Sequence, residues 1–180
     1  GGEQYVYDIC KQLQQRHRTA YILVDQSNED MQSRYAQVGH VMTANLYTLK
    51  GFLSVNAVAK QMKEQGINTI VCHSGKYILF CIALKQLTGA KLVFIKHNLV
   101  PGKTDIYHRW INAQVDAFVC VSKLVYDDLM TPAIKDTSKY HVVYNGIDPN
   151  RFQSFSDAVP MKYKVRTFGY SARKIGRAHV

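Results

Sequence analysis

A chain of 180 residues, 47% of them hydrophobic, holds apolar surface for one well-buried domain and hardly enough for two. Its formal charge of +10 and pI near 9.5 favour polyanionic partners: nucleic acid, anionic lipid or phosphorylated substrates. No apolar run reaches the roughly 18 to 20 residues that cross a bilayer, and Cys10, Cys72, Cys81 and Cys120 stand apart in apolar runs, which favours buried free thiols over zinc or disulfides.

In chain order, "EQYVYDICKQLQQRH" places Val6, Ile9, Cys10 and Leu13 on one helical face. Ala20 to Val24 is a short apolar strand. A polar stretch follows, through Met31 and His40. "NLYTLKGFLSVNAVAKQMKEQG" reads as a helix with Phe52, Val55, Ala59 and Met62 in register and Gly66 as its stop. "NTIVCHS" is a strand. "KYILFCIALKQLTG" is a helix apolar almost all round, hence buried. "AKLVFIKHN" is the next strand, broken by Pro101-Gly102. Asp105 to Gln114 reads as helix, "AFVCVS" as strand, Lys123 to Met130 as helix and "HVVYN" as strand. Asn145-Gly146 after that last strand has the chemistry of a hairpin turn, yet Pro149 and a polar run follow where a partner strand would have to be.

Strands that alternate with helices, and that are apolar without alternation, predict a doubly wound parallel sheet covered on both faces, an α/β domain of Rossmann-like type. Ligands of such sheets bind at the carboxyl ends of the strands. The strands here end in Asp25, His73-Ser74, His97-Asn98, Ser122 and Asn145-Gly146. Ser122 also suits a helix cap before "KLVYDDLM". His73 and His97 could in principle bind a metal or sit as satisfied core histidines, but no acidic or Cys ligand stands at a diagnostic spacing, so no metal is expected.

Five stretches, in order, resemble one family. "VDAFVCVSKLVYDDL" is similar to a "D-hh-hxVS" strand (h apolar) and "KYHVVYNGIDPNRF" to a "hhxNGhDxxxF" strand and turn. "GGEQYVYDICKQL" resembles a glycine-rich loop and first helix. "KLVFIKHN" resembles an "hhxThH" strand, with Lys96 in place of the usual Thr or small residue. "FGYSAR" resembles the "GRL" strand that opens a second domain, with Arg173 in the arginine position. The pattern is that of GT-B glycosyltransferases of the family-four type, over nearly all of Gly1 to Arg173.

The resemblance implies an N-terminal, acceptor-side domain over 1–152 that lacks its first strand, a linker over 153–160, and the start of a donor-nucleotide domain over 161–173. The tail 174–180, "KIGRAHV", matches nothing before it and is read as non-native. The implied activity is retaining transfer of a sugar, of hexosyltransferase type, from a nucleotide-sugar to a glycan or lipid-linked acceptor. Bacterial surface polysaccharide synthesis is the expected setting, in the cytoplasm or at the inner membrane face. His97 would face the reacting centre. Gly1, Gly2 and Arg173 would receive the donor phosphates, and His73, Asn98, Ser122 and Asn145 would line the acceptor side. Neither cofactor nor metal is implied, and no nucleic acid is expected. This piece alone is expected to be inactive. The competing reading is a non-catalytic basic domain that binds nucleic acid or an anionic membrane surface, with Lys50, Lys60 and Lys63 on one helix.

Overall fold

Every strand runs parallel to its neighbour, as apolar runs without alternation require. The computed structural model describes residues 2–46, 49–130, 134 and 136–146, without the side chains of Leu49, Lys50 and Phe52. In order these are α1 (Gly2–Gln15), β1 (Tyr21–Asp25), α2 (Glu29–Tyr35), β2 (His40–Ala44), α3 (Leu49–Glu64) and β3 (Thr69–Cys72). A 3-10 turn (Gly75–Tyr77) then leads into α4 (Ile78–Thr88), β4 (Lys91–Lys96), α5 (Ile106–Gln114), β5 (Ala117–Cys120), α6 (Lys123–Leu129) and β6 (Tyr140–Val142).

Two of these elements lie in the polar stretch to which the sequence pattern assigned no element. Helix α2 has only seven residues and is mostly polar; it starts because the Asn28 side chain accepts a hydrogen bond from Met31 N. Strand β2 exists through its pairing with β1, and only Ala44 within it is fully buried. Tertiary partners outweigh a weak local pattern in both. Helices α3 and α4 stop where glycine takes a positive φ, at Gly66 (65°) and Gly89 (74°). Val55, Ala59 and Met62 are buried as their spacing predicts. Helix α4 corrects the expectation of burial all round: Ile78, Phe80, Cys81, Ile82 and Leu84 are buried, while Leu79 and Leu87 remain 38% and 41% exposed. All four cysteines are free and buried.

The strands form two sheets, β1–β2 and β3–β4–β5–β6. The second packs against α4, α5 and α6 through Leu92 and Cys120, both without exposed surface, with Phe118 stacked on Tyr140 at 4.6 Å. Its amino-terminal edge is tied by Asp116, which accepts from Leu92 N (2.8 Å) and Lys85 Nζ (2.6 Å). Burial pushes the Asp116 carboxyl up, but those hydrogen bonds and the charges of Lys85 and Lys91 hold it below the usual range. The opposite face is less completely covered, since Val71 and Val143 stay about half exposed.

The two sheets share their covering layers although β1 and β3 do not pair. On one side α1 carries Cys10 into a cluster with Ile22 and Val24 of β1. On the other, α3 and α4 form a cluster that takes in Leu23 and Met42 from the first sheet and Ile70 from the second. Among the described residues, β1 and β3 therefore each keep one edge without a strand partner. After β6, Val143 N still donates to Cys120 O (3.0 Å), and no returning strand follows among the described residues. The hairpin alternative at Asn145-Gly146 is not realised there; Ile147 to Asn150 lie outside them.

Candidate active site

Because all strands are parallel, their carboxyl ends gather on one edge, and that edge carries the polar residues expected of it. His73 follows β3 and His97 follows β4. These strands pair with Val71 opposite Val93 and Cys72 opposite Phe94. Side chains alternate along a strand, so Val71, His73, Val93, Ile95 and His97 share one face. The two histidines meet there: Nδ1 of His73 lies 3.2 Å from Nε2 of His97, and the rings are nearly parallel, 5.5 Å apart at 23°.

Helix α1 completes the arrangement. Tyr5 stands edge-on to both rings, with centroids 5.8 Å from His73 and 5.0 Å from His97. A β-carbon on Gly2 would lie 3.5 Å from the His97 ring, an ordinary contact, so the first turn of α1 packs against the imidazole without requiring glycine there. Burial, then the neighbouring His97, pushes the His73 imidazole down to about 4. Burial likewise lowers His97. The positive end of the α1 dipole acts in the same direction. Both rings are neutral at pH 7, each with one donor and one acceptor nitrogen. Burial raises the Tyr5 phenol, which stays protonated.

The other predicted residues divide. Asn98 and Asn145 are exposed on this edge. Ser122 caps α6, its Oγ accepting from Val125 N at 3.2 Å. Asp25, at the end of β1, is consumed internally: its carboxylate accepts from Ser27 N, Ser27 Oγ and Leu46 N and is buried. Lys96 falls on the opposite face from His97, half-buried with Nζ 5.5 Å from the Phe94 ring centroid, and burial depresses its ammonium. Gly2 lies in the first turn of α1, while Gly1 and Arg173 lie outside the described residues. Tyr5 was missed by sequence reasoning. Its signal was its spacing, three residues after Gly2 on the same helical face. No group of three metal-ligating side chains occurs among the described residues.

Comparison with known proteins bears on the family and the fold. No curated protein matches the sequence. Two solved structures share the fold. A glycosyltransferase from Rickettsia africae ESF-5 superposes with a TM-score of 0.67 at 17% identity, over 86% of this chain and 42% of that one. MurG of Acinetobacter baumannii superposes with a TM-score of 0.56 at 11% identity, over 86% of this chain and 45% of that one. The chain thus spans less than half the length of either structure, and its architecture is about one half of a GT-B glycosyltransferase. The description of Glycosyltransferase Family 4 matches residues 1–151, so the chain belongs to glycosyltransferase family 4.

Proposed function

We propose that this chain is the acceptor-side half of a retaining glycosyltransferase. The enzyme moves a hexose from a nucleotide-sugar to a glycan or lipid-linked acceptor in bacterial surface polysaccharide synthesis, without a metal. The observation that carries the reading is His97, neutral and held at the carboxyl edge between His73 and the first turn of α1.

Its parts then have distinct tasks. His97 hydrogen-bonds the transferred sugar or the acceptor hydroxyl. Gly1 and Gly2 receive the donor diphosphate, with the backbone N–H groups of the first turn of α1 behind Gly2, where the helix dipole favours negative charge. Arg173 adds a cation to the same group. His73, Asn98, Ser122 and Asn145 line the acceptor side. As the bond from the sugar to the diphosphate breaks, positioned dipoles and cations stabilise the leaving charge. A second domain supplies the rest of the donor site, after a linker over 153–160, with residues 174–180 no part of the native protein. The open edges of β1 and β3 fit a first strand that precedes Gly1 and pairs with both.

The test is turnover by the two-domain protein against a panel of nucleotide-sugars. Retention of the donor's anomeric configuration is the expected result, and an inverted product overturns the reading. The 180-residue chain alone gives no transfer or donor hydrolysis above background; turnover by it would contradict the half-site.

We further propose peripheral association with the cytoplasmic face of an anionic membrane. No described helix is long and apolar enough to cross one. The loop after His97 and the start of α5 expose Leu99, Val100, Ile106, Tyr107 and Trp110, interspersed with Lys103 and Arg109. Aromatic and basic side chains together suit a headgroup boundary. Trp110 is the only tryptophan, so its fluorescence reports this surface alone. Anionic vesicles are expected to shift that emission to the blue, with binding that weakens as salt rises. Vesicle flotation with unchanged emission would place the contact elsewhere.

A further inference from the structure

His73 and His97 come from different strands, yet a single N···N contact of 3.2 Å joins Nδ1 of one to Nε2 of the other. Tyr5 braces both rings edge-on, and the first turn of α1 closes on the Cδ2–Nε2 side of His97. One nitrogen of His97 is thereby committed inside the protein. Among the described residues, no hydrogen-bond partner faces its Nδ1, which is the nitrogen left to meet a substrate.

We propose that His73 is a positioning residue, which holds the His97 imidazole in one orientation and one tautomer so that its Nδ1 presents a defined hydrogen-bonding character to a substrate hydroxyl. The proposal rests on the reading of His97 given above. The logic is that of two neutral rings sharing one hydrogen bond. When Nδ1 of His73 carries the proton, it donates to Nε2 of His97, and His97 keeps its own proton on the outward Nδ1. When His73 is protonated on Nε2 instead, His97 donates inward, and its Nδ1 becomes an outward acceptor. The two tautomers are thus chosen as a pair, and the unlike surroundings of the rings, with the first turn of α1 beside His97 alone, favour one pair over the other. Without the partner, His97 samples both tautomers and more than one ring orientation, as an imidazole does in water.

The test reads tautomers directly, from the nitrogen-15 shifts of the labelled imidazoles of this chain at neutral pH. In the unaltered chain, His97 is expected to show two well-separated ring nitrogens, the signature of one tautomer. His73→Leu collapses them toward an averaged position. His73→Asn restores the separation, because its amide sits where Nδ1 stood. An averaged His97 in the unaltered chain, or a separation that survives His73→Leu, overturns the proposal. In the two-domain enzyme, His73→Leu lowers kcat by roughly tenfold to a hundredfold, as a misaligned reacting group does, while the donor KM holds. His73→Asn recovers most of that loss. If His97→Ala turns over normally, the catalytic reading of His97 fails and the tautomer result still stands or falls on its own spectrum.

Discussion

In the two-domain enzyme, replacing His97 by alanine is expected to lower kcat about a hundredfold, within the range for a positioned polar group. The donor KM changes little. The reason is where the side chain stands. His97 emerges at the end of β4, its ring in contact with His73 and the first turn of α1, on the edge where the strands of a parallel sheet present their ligands. A hydrogen bond that tightens as charge develops acts on the transition state and not on ground-state binding. Because the ring is only half-buried, its removal costs on the order of 1 kcal/mol of stability, the middle of the range for point substitutions. A structural histidine predicts the reverse, a lower melting temperature with normal turnover per folded molecule. Measuring Tm and kcat on one preparation separates the two, and a destabilised protein with undiminished kcat would sink the assignment.

The second large effect is on stability against pH. The His73 imidazole titrates near 4 in the folded protein and near 6.5 when unfolded. Between those values the unfolded chain binds the extra proton, so stability falls as pH falls through that window. The full difference amounts to roughly 3 kcal/mol, at about 1.4 kcal/mol for each tenfold change in proton affinity. His97, lowered by burial, adds to the loss in the same direction. Tyr5, the ring that faces the pair from α1, stays neutral throughout. Asp25 and Asp116 act in a lower window. Their folded-state values are depressed from 3.8, so their contribution is present above that value and lost as pH falls through the depressed ones. Denaturant titrations between pH 7 and 4 are expected to show a steep decline that His73→Leu flattens. An unchanged slope in that variant would mean the ring is not buried in its neutral form.

Much of the fold was legible because parallel strands announce themselves. Leu92 to Ile95 and Phe118 to Cys120 are apolar without alternation, and only a sheet with layers against it can hide such runs. The order of strand ends along the chain then indicated where His73 and His97 must emerge. Their mutual bond was not legible. It depends on Val71 lying opposite Val93, a register that two neighbouring apolar runs leave open. Tyr5 was hidden for a related reason, since which strand ends α1 faces is a tertiary fact. Helix α2 and strand β2 escaped notice because their local pattern is weak and their partners, Asn28 at one end and β1 alongside, lie outside their own residues. Asp25 ends the first strand on the same edge, and its oxygens are taken by Ser27 and Leu46, a clamp that the strand pattern does not reveal.

Among the described residues, β1 and β3 each have an edge without a strand partner, which has a consequence for how isolated copies of this chain behave at high concentration. Each edge offers a row of free N–H and C=O groups, and such rows template further strands. The strand that fits between them, as proposed above, would pair with both edges at once, so a strand lent by another copy enters the same gap. Loans of that kind close a dimer when they are mutual and propagate when they are not. Light scattering that climbs as concentration rises is the expected mark of such pairing, and a chain that stays monomeric would speak against it.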